Sequence, residues 1–128
     1  MRRNFRKPLV VAAPKKLLKY ARANSELEDF TGQTRFKKYY GDQHKTLVAP
    51  EKVKKVILCS GQVYYDIDNA RVKDGINDIA VIRIEQLSPF PFKGITEELS
   101  KYKNAQIQWV QEEPQNQGYW HYVSPKIR

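Results

Sequence analysis

The side chains best suited to chemistry lie in one polar segment, residues 109–120. There an apolar, β-rich run ends in Gln111, Glu112 and Glu113 and then meets a proline. Because open α/β sheets place their ligands beyond the carboxyl ends of their strands, this pattern predicts a polar site at a sheet edge. Glu112 and Glu113 face opposite sides of an extended backbone, so they do not form an acid–base pair, although one carboxylate could accept a proton.

A second candidate is Arg83, which interrupts an otherwise apolar stretch. A guanidinium within a parallel strand needs a carboxylate or a ligand rather than water alone. Glu85 follows two residues later and lies on the same face of the strand. Two interpretations stay open: a structural ion pair with Glu85 or Glu112, and a contact to an anionic ligand.

Ser60 and Gly61 follow an apolar run and precede a helical pattern. Backbone N–H groups at such a turn can bind an anion, but a tight turn that needs positive φ explains the glycine equally well. Cys59 has no histidine nearby and is interpreted as a small buried hydrophobic residue. His44 and His121 share no spacing with other ligands, so no metal site is predicted.

Short apolar runs, typical of strands, alternate with segments of helical periodicity, and together they predict the elements that position these residues. From residue 54 the pattern gives strands at 55–59, 78–84 and 105–111, helices at 63–75 and 90–102, and a short helix opening at 116–118. Crossovers of this length imply a parallel sheet with helices on both faces. Upstream, the pattern predicts a strand at 9–13, buried on both faces, a helix at 14–22, and a short helical turn at 25–30.

Charge divides the chain into two unlike halves. Residues 1–55 hold 15 Lys and Arg against 5 Asp and Glu, and residues 56–128 hold 8 against 9. Such asymmetry often marks a contact surface, and we expect a protein interface at four basic residues near the start, Arg2, Arg3, Arg6 and Lys7. The basic, aromatic stretch 35–40 leaves RNA binding as an alternative, but no RNA-binding signature accompanies it, and nucleic acid is not the expected partner.

Composition sets the broad class. A chain of 128 residues with 41% apolar residues fits one globular domain, and no apolar run is long enough to cross a membrane. No membrane partner is therefore expected. The single cysteine excludes internal disulfides and fits a reducing compartment.

Several motifs together resemble a known enzyme family. They are CSGQVYYD at 59–66, IRIEQLSPFP at 82–91 and the segment 109–120, preceded by RRNFRKPLVV at 2–11 and PKKLL at 14–18. In this order they resemble the carboxyl-terminal region of the thiamine-dependent first component of the 2-oxoglutarate dehydrogenase complex. The resemblance implies an α/β fold: a partial transketolase carboxyl-terminal-like domain at 54–128, a basic linker at 23–53, and the strand and helix of an upstream pyrimidine-type domain at 1–22.

The resemblance also implies a function. Family enzymes decarboxylate 2-oxoglutarate with thiamine diphosphate and magnesium, but this chain reads Gly41-Asp42-Gln43 where the cofactor motif would need Gly-Asp-Gly. We therefore expect no cofactor in this segment, no catalysis by it alone, and a structural and regulatory role. The family pattern continues past the position matching Arg128, so the chain is expected to be truncated at both ends. The alternative is a non-catalytic module within a larger mitochondrial assembly.

The resemblance further implies partners and an effector site. The expected partners are the remainder of the first component or its homodimer mate, and the dihydrolipoyl succinyltransferase component. The expected compartment is the mitochondrial matrix in a eukaryote or the cytoplasm in a bacterium. A nucleotide or acetyl coenzyme A site is expected at Ser60, Gly61, Arg83, Gln111 and Asn116. Gln62 stands where the family generally has lysine, which weakens the expected phosphate contact.

Overall fold

A four-stranded, mostly parallel sheet organises the computed structural model, which describes residues 4–128. The strand order is β1-β3-β2-β4. The strands are β1 (Tyr39–Tyr40), β2 (Lys55–Cys59), β3 (Ile79–Ile84) and β4 (Gln106–Trp109), and the helices are α1 (Val63–Lys73), α2 (Phe92–Leu99) and α3 (Trp120–Ile127). The predicted α/β class is confirmed.

Strand β2 is central and pairs in parallel with β3 on one side and β4 on the other. The predicted three-stranded parallel unit is therefore confirmed. Strand β1 was not predicted; its two residues pair antiparallel with β3, and Tyr40 lies opposite Arg83. So short a strand, in a polar segment without periodicity, leaves no local pattern to detect.

Helices cover both faces of the sheet, as predicted. Val56 of β2 and Ile82 of β3 point to one face, where they belong to a buried cluster with Ile95 of α2 and Val123 of α3. Helix α1 lies on the opposite face, since its aromatic side chains contact Arg83. Parallel strands buried on both faces require continuous apolar runs, which is what β2 and β3 supply.

The helix ends differ from the predicted ends by a few residues. Helix α1 ends at Lys73, and Gly75 follows with φ 66°, which confirms the predicted helix stop. Helix α2 covers only Phe92–Leu99, because Pro91 sits at its N-cap position and fixes the start. Helix α3 begins at Trp120 rather than at 116–118.

The predicted strand at 9–13 does not form. Leu9 and Val10 are 81% and 91% exposed, and the segment pairs with no strand among the described residues. An extended segment needs the hydrogen bonds of a neighbouring strand, and the described part of the chain supplies none to it. The predicted helix at 14–22 is replaced by two 3-10 helices, Lys15–Lys19 and Ala21–Ala23. The short turn predicted at 25–30 is confirmed as a 3-10 helix at Leu27–Phe30.

Part of the segment predicted as a linker packs onto the α/β unit. A Cβ on Gly94 of α2 would collide with the ring of Tyr39, and one on Gly41 would lie 2.6 Å from Glu98 Oε1. These glycines let β1 lie close against α2. Val53 is fully packed in the core. In residues 4–128, no helix has the length and apolar character needed to cross a membrane.

Candidate functional site

The guanidinium of Arg83 is tightly constrained near the carboxyl end of β3. Its Nε lies 2.5 Å from Glu85 Oε1, and its Nη1 donates to the Tyr65 hydroxyl at 3.1 Å. The contact with Glu85 is an ion pair without hydrogen-bond geometry, since Nε is buried and has no hydrogen-bond partner among the described residues. The ion pair with Glu85 suggested by the sequence is thus formed, whereas Glu112 bonds elsewhere.

Two tyrosine rings stack against this guanidinium. The Arg83 Cζ lies 4.6 Å from the centroid of Tyr40 and 4.5 Å from that of Tyr64, distances typical of cation–π contacts. Burial opposes the charge, but the charge of Glu85 and the neighbouring phenols outweigh it and raise the pKa of Arg83 above its ordinary value. Arg83 therefore stays charged, and its Nη2 makes no hydrogen bond within the part of the chain that the structure describes.

Arg83 opens onto a cavity of about 610 Å³ between the 22–46 segment and α1. A second cavity of about 540 Å³ continues it and shares Lys37, Tyr40 and Arg83 with it. We call the first cavity the basic cleft, because its lining holds four basic residues, Arg22, Lys37, Lys45 and Arg83, against two acidic ones, Asp29 and Asp68. Tyr40 and Tyr64 also line it. A cleft with this lining can bind a small anion.

A network of buried charges holds one wall of the basic cleft. Arg71 of α1 donates to Asp68 at 2.6 Å, to Asp42 and to the Ile79 carbonyl at 2.9 Å. Arg22 donates to the other oxygen of Asp68. Burial opposes the charge of Arg71, but its hydrogen bonds to Asp42 and Asp68 outweigh it and raise the pKa of Arg71. The network joins the 22–46 segment to α1.

Sequence reasoning predicted no member of this network, and Asp42 is the member that bonds both α1, through Arg71, and β3, through Val81. Its side chain is fully buried, and its carboxylate accepts hydrogen bonds from Val81 N at 2.6 Å and His44 N at 2.7 Å. Just beyond the end of β1, the Asp42 carboxylate thus accepts the β3 N–H group that a longer β1 would have bonded. An aspartate after a glycine in a polar segment gives no sign of burial, and only the pairing of β1 with β3 brings it to Arg71.

The other candidate region, which we call the β4 loop, comprises residues 111–119. Gln111 organises it: Oε1 accepts from Trp109 Nε1 at 2.9 Å and from Tyr119 N at 3.2 Å. Its Nε2 donates to the carbonyls of Pro114 at 3.2 Å and Gln117 at 2.8 Å. The amide of Gln111 is therefore fully used inside the loop.

The remaining predicted site residues lie near the β4 loop or between the two regions. The Ser60 hydroxyl donates to the Ile84 carbonyl at 2.8 Å, and Gly61 has φ 79°, as a tight turn requires. Gln62 Nε2 donates to Glu112 at 3.1 Å, and Asn116 is exposed.

The structure does not bring the five predicted effector residues into one pocket. Arg83 faces α1 from β3, whereas Gln111 and Asn116 follow β4, and β2 lies between these strands. Ser60 and Gly61, at the end of β2, lie between the two groups. The strand-end effector site stays a prediction.

The predicted basic interface falls partly outside the described residues, where Arg2 and Arg3 lie. Arg6 and Lys7 are exposed, and the Lys7 ammonium lies 5.4 Å from the Phe5 ring. The RNA alternative needs exposed aromatic faces, but Tyr39 packs against the core and Tyr40 stacks on Arg83. Of the three aromatic residues at 35–40, only Phe36 keeps an exposed ring for stacking on a base.

Two further predictions concern reactive or ligating groups. Cys59 is fully buried, as predicted, and burial raises the pKa of its thiol to about 12. In the described range 4–128, no cluster of His, Cys, Asp and Glu could hold a metal ion.

Comparison with known proteins identifies the family. Residues 24–128 match the family model described as 2-oxoglutarate dehydrogenase C-terminal. The chain belongs to this family. It is 42% identical over 99% of its length to the 2-oxoglutarate dehydrogenase E1 components of Brucella anthropi, Brucella ovis and Brucella abortus (strain S19). It spans 13% of the length of each of these relatives.

Proposed function

We propose that this chain acts as the carboxyl-terminal portion of a 2-oxoglutarate dehydrogenase E1 component and contributes structure rather than catalysis. The observation that carries the proposal is the family match over residues 24–128, together with 42% identity over nearly the whole chain to E1 components. The enzyme would carry out oxidative decarboxylation of 2-oxoglutarate in the tricarboxylic acid cycle.

The residues of the chain support a non-catalytic role. Thiamine diphosphate and magnesium would be bound by the rest of the enzyme, because Gly41-Asp42-Gln43 lacks the second glycine of the cofactor motif. Asp42 is moreover committed to Arg71 and to Val81 N, so its carboxylate is not free to bind a metal. The proposed compartment is the cytoplasm if the source is bacterial and the mitochondrial matrix if it is eukaryotic.

The first part of the described chain is suited to contact the remainder of E1 or its homodimer mate. Large apolar side chains there are more than two-thirds exposed: Leu9, Val10, Val11, Leu18, Leu27, Phe30 and Phe36. Exposed large apolar side chains gathered in one segment of a chain favour contact with another protein surface. Basic residues among them favour an acidic partner surface. Contact with the dihydrolipoyl succinyltransferase component is a further part of the proposal, carried by the resemblance alone.

A chimaera tests the proposal. In the Brucella anthropi relative, the matching carboxyl-terminal region is replaced by this chain, and decarboxylation of 2-oxoglutarate is measured beside a deletion of the same region. We expect the chimaera to be soluble and active and the deletion to lose activity. An inactive chimaera that is folded by circular dichroism would contradict the structural role.

Two companion measurements separate the parts of the proposal. Calorimetry of this chain with thiamine diphosphate and magnesium should show no binding, and micromolar affinity would overturn the non-catalytic assignment. When this chain is mixed as a separate protein with the deleted enzyme, charge reversal at Arg3 and Arg6 should weaken its association with the rest of E1 at physiological salt. Lys103→Glu, at an exposed position in the α/β unit, is the matched control and should leave association unchanged.

A further inference from the structure

The segment that leads into the α/β unit lies against α1 through a small set of polar contacts. Residues 15–23, which we call the strap, comprise the two 3-10 helices Lys15–Lys19 and Ala21–Ala23. We propose that the strap is a releasable latch, held on α1 by Tyr20 and Arg22 and able to detach while the α/β unit stays folded. This conformational device goes beyond the proposed function and does not rest on it.

The strap has little internal structure to keep it in place. Its two helices have five and three residues, and neither contains a buried residue. Helices of the 3-10 type have poor hydrogen-bond geometry, and isolated helices this short are unstable in water. The backbone hydrogen bonds of the strap are local, as from Leu17 N to the Pro14 carbonyl and from Ala23 N to the Tyr20 carbonyl. The position of the strap therefore depends on its contacts with α1.

One face of α1 receives the strap, because Tyr65, Asp68 and Asn69 are spaced three and four residues apart along the helix. The Tyr20 ring packs edge-on against Tyr65, with centroids 5.3 Å apart. Asn69 Nδ2 donates to the Tyr20 hydroxyl at 2.7 Å, and Asn69 Oδ1 accepts from Arg22 Nη1 at 2.5 Å. Arg22 Nη2 donates to Asp68. Two side chains of the strap thus contact three residues of α1.

Asp68 makes the docking reversible, because its two carboxylate oxygens have different partners. Oδ1 accepts from Arg71 at 2.6 Å, and Oδ2 accepts from Arg22. The Asp68 side chain is only 4% exposed, and a buried carboxylate that loses its sole partner is strongly destabilising. When Arg22 leaves, however, Asp68 keeps Arg71. The Arg22 side chain is 45% exposed and can return to water. The strap can therefore detach without leaving a buried charge unpaired.

A second charged contact of the strap is too weak to hold it. Lys16 Nζ lies 3.9 Å from Asp66, and the two side chains are 74% and 63% exposed. Ion pairs between exposed side chains contribute little, whereas hydrogen bonds between charged groups contribute more when one partner is buried. Arg22 is therefore the residue whose loss should release the strap. Lys16 joins the same two elements and provides a matched control.

Release of the strap would change both of its neighbours in the structure. Arg22 and Ala23 line the basic cleft, so their departure would open one of its walls. Tyr65, which the Tyr20 ring covers in the docked state, accepts from Arg83 Nη1 at 3.1 Å and would gain contact with solvent. On its other side the strap continues into the exposed apolar residues 9–11. The docked strap thus fixes the direction in which that apolar segment leaves the α/β unit.

Native-state hydrogen exchange of the intact protein, measured by NMR, tests the proposal. The reporters are the amides of Leu17, Tyr20 and Ala23, which are hydrogen-bonded in the docked strap. Arg22→Gln should accelerate their exchange about tenfold, the loss expected for one hydrogen bond between charged groups, and leave the amides of α1 unchanged. Lys16→Gln should accelerate it by less than about threefold. Tyr20→Phe keeps the ring and removes the hydroxyl, so its effect should be intermediate.

Three results would overturn the proposal. Exchange of the reporter amides at unprotected rates in the unmodified protein would mean that the strap is not docked. Equal acceleration by Arg22→Gln and Lys16→Gln would mean that the contact with Asp68 does not hold it. Equal acceleration of the α1 amides would make Arg22 part of the core rather than a latch. If Arg22→Gln does not fold, Asn69→Ala decides by the same criteria, because it removes an exposed amide that bonds both Tyr20 and Arg22.

Discussion

The basic cleft and the β4 loop lie at the carboxyl ends of β3 and β4, the two strands that flank β2, yet they have opposite chemistry. In the β4 loop, Gln111 uses every donor and acceptor of its amide, and the charged residues are acidic. In the basic cleft, Arg83 keeps Nη2 without an acceptor among the described residues, and the lining is basic. At the strand ends, where α/β sheets bind ligands, the polar groups of Gln111 in the β4 loop are therefore already used, whereas Arg83 in the basic cleft keeps a free donor among the described residues.

The two regions differ in how the chain builds them. Hydrogen bonds of Gln111 reach at most eight residues along the sequence. The wall of the basic cleft depends on Asp42 bonding Arg71, 29 residues away, and Arg22 bonding Asp68, 46 residues away. A loop closed by local bonds can form its structure early and alone, whereas the cleft exists only when distant segments meet. Perturbing each region separately should therefore give distinct results.

The largest effect is expected from Asp42→Ala. The substitution leaves the Arg71 guanidinium buried with only Asp68 as its acidic partner, so the free energy of unfolding should fall by about 3–5 kcal/mol in urea denaturation. Hydrogen exchange of β1 should accelerate while that of the β4 loop changes little. Asp66→Ala, at an exposed position with a 3.9 Å contact to Lys16, is the control and should cost less than about 1 kcal/mol. A comparably small effect of Asp42→Ala would mean that the network does not hold the wall.

Gln111→Ala should have an intermediate effect. It leaves Trp109 Nε1 and Tyr119 N without their acceptor, and we expect a loss of about 1–3 kcal/mol in the free energy of unfolding. Tryptophan fluorescence should also change, because Trp109 Nε1 loses its acceptor. Gln115→Ala is the matched control, an exposed glutamine of the same loop. An equal loss of stability in Gln111→Ala and Gln115→Ala would contradict the organising role of the Gln111 amide.

Cys59 ends β2 between the two regions and should make stability depend on alkaline pH. The pKa of the thiol is about 12 in the folded protein against an ordinary 9.0, because burial disfavours the thiolate. Below pH 9 both states hold the proton, and above it the unfolded chain loses the proton first. The free energy of unfolding should therefore fall by about 1.4 kcal/mol per pH unit between roughly pH 9 and 12, relative to Cys59→Ala. Parallel pH profiles for the two proteins would contradict the assigned burial of the thiol.

The smallest effect is expected from Gln62→Lys. Gln62 donates to Glu112 at 3.1 Å, and a lysine there would replace this hydrogen bond with an exposed ion pair worth less than about 1 kcal/mol. Stability should rise slightly at low salt and return to the original value at high salt. Gln62→Glu reverses the sign through repulsion. Nucleotide or acetyl coenzyme A binding that is stronger with Gln62→Lys would support the strand-end effector site expected from the family resemblance.

The sequence alone determined the three-stranded parallel unit and the structural roles of several single residues. The apolar run of β2 and the helix stop at Gly75 were predicted because both follow from local rules: continuous burial needs continuous apolar residues, and positive φ favours glycine. The motifs also sufficed to indicate the family. The ion pair of Arg83 with Glu85 was one of two interpretations. It forms because side chains two residues apart in a strand lie on the same face.

Only the tertiary structure decided where the charges act. Asp42 carries no local sign of burial, and β1 is too short to show a period, so nothing in the sequence places Lys37, Tyr40 and Lys45 beside Arg83. The segment at 9–13 shows the opposite case: its residues favour a strand, but they find no partner strand among residues 4–128 and remain exposed. In both cases the deciding contacts join residues far apart in sequence, and such contacts depend on the whole fold rather than on local preference.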